Sequence, residues 1–337
     1  MKGESIMAGR KALLGICAQH QRLSFAVMRG ESLEKTFWID IPEDIVSGVD
    51  IKSRNLFGEL IRDTLKQNRV KVKDVAYVLS GENTFIRNLN IPEMDDEQIK
   101  YNIPFEFRDY IRGELKEYAF DYAHIPNRDP RDAQEGTISI MAAATPKEHL
   151  EVIKEVTQVA GLRLVKAAPD LCAFEKLLYL LPDVEERQKE RCFLDFGHGT
   201  VRLFIYKNGR YKLMHMVHTG MRKVIETVAD VKNVDYQIAR TYLTSNYEDV
   251  QNDPECQKVY RDISVEILKG LNFYEMSDMS ARLDDVVLCG GGAMVEPLVE
   301  MLKQRIMKNV VTMNEFLPNW NRDGYLNITA PSIGIAL

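Results

Sequence analysis

Apolar runs separated by turn residues predict a small sheet near the start of the chain. The predicted elements are two strands within residues 11–28 on either side of Gln19-His20-Gln21, a strand over residues 37–41, a helix over 55–67 and a strand over 75–80. The spacing of the apolar residues changes from strand-like to helical and back again. We therefore expect four strands and one helix in this part of the chain.

The middle of the chain shows a different pattern, which predicts an inserted module. Its predicted elements are a strand over 85–89, a helix over 95–112, a strand over 117–125, a strand over 137–144, a helix over 146–160 and a strand over 162–167. Pro104 predicts a kink in the first of these helices, and Gly161 ends the second. A helix over 169–181 then returns to the first domain, and the charged segment 182–190 is the candidate linker between two halves.

The second half is predicted to begin with a hairpin and to end with a strand followed by a helix. The predicted elements are strands over 201–206 and 211–217, a largely helical region over 222–279, a strand over 285–289 and a helix over 295–307. The turn Lys207-Asn208-Gly209 joins the two strands of the hairpin. The chain is therefore predicted to be α/β.

Composition narrows the function classes. The 337 residues are 45% apolar and 28% charged with a net charge of −6, and no long run of Lys or Arg suggests nucleic-acid binding. Residues 1–10 have no apolar signal segment, and no window approaches the roughly 18 apolar residues of a membrane span. Five cysteines without framework spacing predict reduced, mostly buried thiols. These features predict a cytosolic protein of about two domains.

A glycine-rich turn follows the apolar strand that starts the second half. The sequence of residues 192–200 is Cys-Phe-Leu-Asp-Phe-Gly-His-Gly-Thr. Gly197 and Gly199 permit a tight hairpin whose backbone N–H groups can approach a polyanion, and Thr200 adds a hydroxyl donor. Asp195, at the strand end, is a candidate to hold a metal-bound water.

A second glycine turn lies about ninety residues later, where Gly290, Gly291 and Gly292 join a strand to a helix predicted from Val295. The start of that helix is expected to face the same cleft as the first turn. Taken alone, each motif is an ordinary turn, but the two in this order favour a nucleotide cleft. Cys17-x-x-His20 and His215-x-x-His218 have metal-like spacing, but residues three apart on a strand point to opposite faces. No metal site beyond a magnesium nucleotide is predicted.

Several segments resemble the type IV pilus assembly protein PilM family. Residues 266–274 followed by Leu-Cys-Gly-Gly-Gly-Ala at 288–293 are the most specific, and residues 91–99 with Asp121-Tyr122 resemble the family's inserted segment. The resemblance covers residues 11–337. It implies a bilobed actin-like (ribonuclease H-like) ATPase fold with an inserted αβ subdomain, which is related to that of FtsA.

The resemblance also implies a division into four parts. The expected parts are a first lobe over 11–80 plus 168–185, the inserted αβ subdomain over 81–167, a second lobe over 190–225 plus 281–337, and a helical subdomain over 226–280. ATP with magnesium would bind between the lobes in such a protein. The resemblance assigns nucleotide binding to ten residues: Asp195, Gly197, His198, Gly199, Thr200, Glu266, Lys269, Gly290, Gly291 and Gly292. Glu266 and Lys269 would clamp the ribose and adenine, whereas their spacing alone predicts an exposed ion pair on a helix.

The chain departs from the family at the first phosphate loop. Where the family has Ile-Asp-Ile-Gly, this chain has Ile16 followed by Cys17, Ala18, Gln19 and His20, so the acidic residue and the glycine are both missing. The segment 235–240 lacks the Ala-Glu pair that is often found there. Phosphoryl transfer depends on a metal and a positioned water, so these losses argue against ATP hydrolysis. No catalytic residue is assigned, and nucleotide binding stays open.

These features support a scaffold better than an enzyme. The resemblance implies a cytoplasmic protein, recruited to the inner face of the membrane, that binds the cytoplasmic N-terminal tail of PilN and possible further platform subunits in a pilus or secretion machine. The alternatives are a sugar or acetate-type kinase of the same fold, which the degenerate loop disfavours, and an FtsA-like cell-division protein, which usually carries a membrane-targeting tail. Six aromatic residues are candidates for the core of the insert or for a peptide groove: Phe105, Phe107, Tyr110, Tyr118, Phe120 and Tyr122.

Overall fold

A mixed sheet organises the N-terminal part of the chain. The computed structural model describes residues 11–47, 50–81, 83–125, 136–278, 280–321 and 323–337. The first elements are β1 (Ala12–Gln19), β2 (Arg22–Arg29), β3 (Ser32–Asp40), β4 (Val46–Ser47), β5 (Asp50–Ile51), α1 (Arg54–Gln67) and β6 (Asp74–Leu79). β1 and β2 form an antiparallel hairpin, and β6 runs parallel to β1 on its other side. The turn at residues 20–21 therefore lies at the end of the sheet where β6 also ends.

An inserted three-stranded sheet follows β6. Its elements are β7 (Phe85–Pro92), α2 (Asp96–Glu106), β8 (Tyr118–His124) and β9 (Thr137–Pro146), and the strand order is β7-β9-β8. A capping box formed by Asp95 and Gln98 starts α2, which buries Ile99 and Ile103 in the core of the insert. The helix ends two residues after Pro104 rather than at residue 112. β8 is an edge strand, since β9 pairs with it on one side only.

The chain returns to the first sheet earlier than the sequence predicts. α3 (Lys147–Val159) packs on α1, where Val156 and Val159 lie against Gly58. β10 (Arg163–Pro169) then pairs in parallel with β6, which gives the sheet the order β10-β6-β1-β2-β3. The structure thus places α3 and β10 with the first sheet, although the predicted insert extends to residue 167. Sheet membership here depends on a long-range pairing that local periodicity does not encode.

The second lobe repeats the arrangement of a mixed sheet covered by helices. Its sheet has the order β13-β12-β11-β14-β15. The elements after β10, which include two helices between the sheets, are α4 (Asp170–Leu178), α5 (Val184–Gln188), β11 (Arg191–Phe196), β12 (Val201–Lys207), β13 (Arg210–Val217), α6 (Met221–Lys232), α7 (Tyr236–Ser245), α8 (Pro254–Ser277), β14 (Asp285–Gly290), α9 (Glu296–Arg305), β15 (Asn309–Thr312), α10 (Met313–Phe316) and α11 (Leu326–Ala336). The predicted linker contains the short helix α5. Helices α6 to α9 bury their apolar faces against this sheet.

Two helices, α4 and α11, lie between the two sheets and join the lobes. Phe174 of α4 and Ile333 of α11 are fully buried in one cluster with Met28 of the first sheet and Phe204 of the second. The hydroxyls of Ser24 and Ser332 are hydrogen bonded at 2.7 Å, which fixes α11 on β2. Helix α11, which lies in the range predicted for the second lobe, thus packs on the first sheet as well.

We expect Gly15→Ala to lower the free energy of unfolding by about 1–3 kcal/mol, because overpacking forces backbone to move. A Cβ atom at Gly15 would lie 1.8 Å from the carbonyl oxygen of Ser332 in α11. Urea unfolding followed by circular dichroism measures the loss. Gly199→Ala is the matched control, since a Cβ there meets no atom within 4 Å. Equal midpoints for the two variants would show that α11 is not closely packed on β1.

Candidate functional site

Three turns from different parts of the chain meet in a cleft between the lobes. Parallel pairing of β11 with β14 places Phe196 beside Gly290, so the two glycine turns leave the second sheet at the same edge. The turn between β1 and β2 faces them from the first lobe. The cleft contains a cavity of about 110 Å³ whose lining includes Gln19, His198 and Arg240. The structure therefore brings together both predicted glycine motifs and the degenerate first loop.

The turn over residues 197–200 caps a helix with its carbonyl oxygens. The backbone N–H of Met221 donates to the carbonyl oxygen of Gly197 at 3.1 Å, and the N–H of Arg222 donates to that of His198 at 2.8 Å. These bonds satisfy two of the free N–H groups at the start of α6. Gly220 is required at the contact, because a Cβ there would lie 2.5 Å from the carbonyl oxygen of His198. The loop is thereby held rigidly against the second lobe.

The three glycines after β14 divide into two that face the cavity and one that packs behind it. Gly290 has φ of +78°, a conformation that favours glycine, and lines the cavity together with Gly291. A Cβ on Gly292 would lie 2.5 Å from the ring of Phe196, so close packing requires a glycine there. Two of the three predicted residues are thus placed where backbone could contact a ligand, and the third has a packing role.

Asp195 lies in a buried ion-pair network rather than open to a metal. Its carboxylate accepts a hydrogen bond from the Arg202 guanidinium at 2.5 Å, and the two residues lie directly opposite each other on β11 and β12. The same guanidinium donates to the carboxylate of Asp170, the first residue of α4. Side-chain exposure is only 11% for Arg202 and 3% and 2% for the two carboxylates. One internal cation therefore balances two buried anions.

This network also connects the lobes. Asp170 follows β10 of the first sheet, whereas Arg202 and Asp195 belong to the second sheet. Burial opposes the charged guanidinium, but the two carboxylates outweigh burial and raise the pKa of Arg202 above its ordinary value. The charge is therefore fixed at all accessible pH. Arg202 and Asp170 are not among the site residues that the sequence predicts, although a lone arginine inside the apolar run 201–206 indicates a buried counter-ion.

Histidine rings from the two loops meet across the cleft. The ring of His20, which has φ of +47° in the β1–β2 turn, lies 5.4 Å from the ring of His198 between centroids. The Nε2 atom of His198 is 3.4 Å from the hydroxyl of Tyr236. The pKa of His198 is lowered to about 4, chiefly by burial and then by the nearby charges of His20, Arg222 and Arg240. His198 is therefore neutral at pH 7, and the two rings occupy the gap between the predicted phosphate loops.

The rest of the degenerate first loop is mostly enclosed. Cys17 is buried, and burial together with the charges of Asp170 and Asp195 raises the pKa of its thiol well above its ordinary value. Cys17 and Ala18 both line a second, smaller cavity of about 60 Å³. The Nε2 atom of Gln19 is buried without a hydrogen-bond partner among the described residues. The loop thus offers one amide donor to the cleft and no carboxylate.

Glu266 and Lys269 form an exposed ion pair on α8. Their side chains are 48% and 66% exposed, and the Lys269 ammonium lies 2.7 Å from the Glu266 carboxylate. The structure therefore places them as the spacing alone predicts, on an outer helix face. Their assignment as a ribose and adenine clamp stays a prediction that this arrangement does not support.

The side chains of the cleft do not fit a magnesium nucleotide. Magnesium in nucleotide sites is held by one or two carboxylates together with the phosphates, but Asp195 and Asp170 are both paired with Arg202. The cavities of about 110 and 60 Å³ are smaller than the roughly 300–1,000 Å³ of typical small-molecule sites. Among the described residues, moreover, no cluster of His, Cys, Asp and Glu could hold a metal ion.

Further polar contacts close the mouth of the cleft. The Arg240 guanidinium of α7 pairs with the carboxylate of Asp40 at the end of β3. The side-chain amide of Gln237 donates to Glu43 at 3.3 Å. Both contacts join the helical part of the second lobe to the first lobe. The lobes are therefore bridged at the surface as well as through Arg202.

A larger groove lies between β10 and the inserted sheet. Its volume is about 550 Å³, and its described lining has only two charged side chains, Asp121 and Lys166. Two of the six candidate aromatics, Phe120 and Tyr122, line it, whereas Phe107 is fully buried in the core of the insert. Of the other three, Tyr118 packs on that core. Phe105 and Tyr110 are exposed, at 46% and 55% of their surface.

The walls of this groove are the open edges of two sheets. β10 is the last strand of the first sheet and β8 is the last strand of the inserted sheet. Val165, at an irregularity in the pairing of β10 with β6, is 49% exposed on this wall. On the floor, Ala143 of β9 lies between Ile86 and Asp121 on the neighbouring strands. Small side chains there leave room for a ligand.

Known proteins resemble the chain along nearly its whole length. The family described as type IV pilus assembly protein PilM matches residues 26–322. The fold is similar to that of a solved PilM-PilN type IV pilus biogenesis complex, with a TM-score of 0.81 and 19% identity over 97% of this chain and 98% of that chain.

Two further solved structures share the fold. Ethanolamine utilization protein EutJ from Carboxydothermus hydrogenoformans has a TM-score of 0.59 at 12% identity, with 97% of this chain and 89% of that chain covered. MreB5 of Spiroplasma citri bound to ADP has a TM-score of 0.51 at 10% identity, with 92% and 94% covered. The predicted bilobed actin-like fold is confirmed. Within the described residues, no helix is both long and apolar enough to cross a membrane.

Proposed function

Because the chain belongs to the type IV pilus assembly protein PilM family, we propose that it is a cytoplasmic scaffold of a type IV pilus or a related secretion machine. Its partner is the cytoplasmic N-terminal tail of a PilN-like membrane protein, which recruits it to the inner face of the membrane. The solved relative with PilN supports this choice of partner. Further platform subunits are additional partners of the same scaffold.

The groove between β8 and β10 carries the proposal. Each wall presents a strand edge, so an extended peptide can add backbone hydrogen bonds to either sheet while its side chains enter the groove. The volume of about 550 Å³ is within the range of peptide side-chain pockets and small-molecule sites. Phe120 and Tyr122 supply aromatic surface on one wall, and Val165 supplies apolar surface on the other. The tail is therefore expected to be extended and partly apolar.

We further propose that the scaffold acts without bound Mg-ATP and without catalysis. Arg202 occupies the two carboxylates that a magnesium site would need, and the rings of His20 and His198 fill the space between the phosphate loops. The same observations disfavour the kinase alternative, which needs a free carboxylate near the transferred phosphate. Nucleotide-dependent lobe closure is not required, since side chains already bridge the cleft.

A fluorescence anisotropy titration with a labelled peptide of the PilN-like tail tests both statements. We expect saturable binding whose Kd is the same, within about twofold, with and without Mg-ATP, because the groove is separate from the cleft. A scrambled peptide is the control. If the tail binds only when Mg-ATP is present, the nucleotide-independent scaffold is wrong. If it does not bind under either condition, the tail is not the partner of this chain.

A further inference from the structure

A strongly basic concavity lies at the end of the first sheet opposite to the cleft. It has a volume of about 790 Å³, and its lining among the described residues has seven basic and two acidic side chains, a net charge of seven minus two, or +5. The basic residues are Lys11, Arg29, Lys35, Arg69, Lys71, Lys73 and Arg163, and the acidic residues are Glu34 and Asp74. This excess contrasts with the net charge of −6 for the whole chain. The concavity is therefore positively charged although the whole chain is negatively charged.

Contacts within the described part of the chain leave most of this positive charge uncompensated. The two carboxylates are each paired, Asp74 with Arg163 at 2.8 Å and Glu34 with Arg29 at 2.5 Å. The Lys35 ammonium instead donates to the carbonyl oxygen of Asn68 at 2.9 Å, which holds the cation in place without neutralising it. Lys73 donates in the same way to the carbonyl oxygen of Gly161 at 3.3 Å. The concavity therefore presents fixed positive charge to solvent.

Arg69 is held there in an unfavourable backbone conformation. It has φ of +58° directly after α1, at a position where helices commonly use glycine. A residue with a Cβ is disfavoured in this left-handed region. The sequence nevertheless keeps a cation at the rim, which is the pattern expected where the side chain has a function.

The concavity adjoins the peptide groove along one strand. Arg163 at the start of β10 lines the concavity, whereas residues 164–169 of the same strand line the groove. A strand of this length spans roughly 20 Å, so the two surfaces are neighbours. A peptide that lies along β10 therefore has one end near the basic surface. This step rests on the proposed function, because it assumes that the peptide belongs to a membrane-bound partner.

We propose that the basic concavity docks on the phosphate headgroups of an anionic membrane surface. Arg69, Lys71 and Lys73 are exposed and lie along the rim of a shallow surface rather than converging on one buried point. Cations spread in this way can contact several headgroups at once. A single phosphate is bound instead by backbone donors that converge on it. Each basic side chain near an anionic membrane strengthens binding roughly fivefold. The concavity then turns the peptide groove toward the membrane from which the partner's tail emerges.

Vesicle co-sedimentation of the full chain, without any partner peptide, tests the proposal. We expect binding to vesicles that contain phosphatidylglycerol, no binding to pure phosphatidylcholine vesicles, and loss of binding at high salt, because screening shortens electrostatic range. The triple variant Arg69→Glu, Lys71→Glu and Lys73→Glu should bind at least ~100-fold more weakly. Equal binding of the wild type to both kinds of vesicle would overturn the proposal.

Three controls test whether vesicle binding depends on the basic concavity itself rather than on net charge, on misfolding or on a site for a soluble anion. The triple variant Lys258→Glu, Arg261→Glu and Arg305→Glu changes the net charge by the same amount, but on the second lobe. Its vesicle binding should stay within about threefold of that of the wild type. Arg69→Gly should weaken binding roughly fivefold while keeping the stability, since glycine relieves the backbone conformation. Competition by free glycerol phosphate at millimolar concentration would indicate a soluble-anion site and would count against the membrane.

The triple variant should still bind the tail peptide like the wild type. Retained peptide binding with lost vesicle binding supports the docking surface and leaves the scaffold function intact. Retained vesicle binding in the triple variant would refute the docking surface alone, whereas failure of the peptide to bind the wild type would refute the groove alone.

Discussion

Replacement of Arg202 by Met is expected to lower the free energy of unfolding by about 3–5 kcal/mol, because it leaves two buried carboxylates without a counter-ion. Asp170 and Asp195 are 3% and 2% exposed at their side chains, so water does not compensate for the lost guanidinium. Urea unfolding followed by circular dichroism measures the loss.

The neutral triple variant Asp170→Asn, Arg202→Met and Asp195→Asn is the matched control. It removes all three charges with little change in volume, so it should recover most of the stability that the single variant loses. Recovery would show that uncompensated charge, rather than lost packing, causes the damage. If the free energy of unfolding of the Arg202→Met variant is within about 0.5 kcal/mol of that of the wild type, the Arg202 guanidinium does not balance the charge of these carboxylates.

The network also joins the two lobes across the cleft. The Arg202 guanidinium of β12 pairs with Asp170, which follows β10 of the first sheet, and with Asp195 of the second sheet, so a cation of the chain itself bridges the lobes. The surface pair of Arg240 and Asp40 also bridges them. The groove beside the insert is built on β10, which leads directly into Asp170, so a fixed lobe arrangement also keeps one wall of the groove fixed.

The order of strands and helices was largely predictable from the sequence. The hairpin around residues 19–21, the insert, the glycine hairpin and the strand before Gly290 all have strong local signals, and the structure has each of them. The assignments of β10 and α11 to lobes were not predictable. Both are decided by packing against strands more than 80 residues away, and local periodicity does not contain that information.

The candidate sites were also predictable only in part. The convergence of the glycine turns followed from their positions at the ends of strands, but the pairing of Arg202 with Asp170 did not, since these two residues are 32 residues apart. The basic concavity was also missed, because its cations come from five separate segments and form no run in the sequence. Sequence patterns therefore located the loops, whereas the charges that decide their chemistry needed the fold.

The double variant Ala143→Trp and Val165→Asp is expected to weaken binding of the tail peptide by more than about 100-fold. Trp at residue 143 fills the floor of the groove between Ile86 and Asp121, and Asp at residue 165 replaces an exposed apolar contact on β10 with a charge. An extended peptide then loses both side-chain pockets and access to the strand edge. Fluorescence anisotropy with the labelled tail peptide measures the change.

Val265→Asp provides the matched control for the charge, because Val265 is 40% exposed on α8 and lies far from the groove in the second lobe. It should bind the peptide like the wild type. Vesicle binding by the double variant should be unchanged, since the basic concavity keeps all of its cations. If the double variant keeps its melting temperature and still binds the tail normally, the peptide does not lie between β8 and β10, and another surface of the scaffold must hold it.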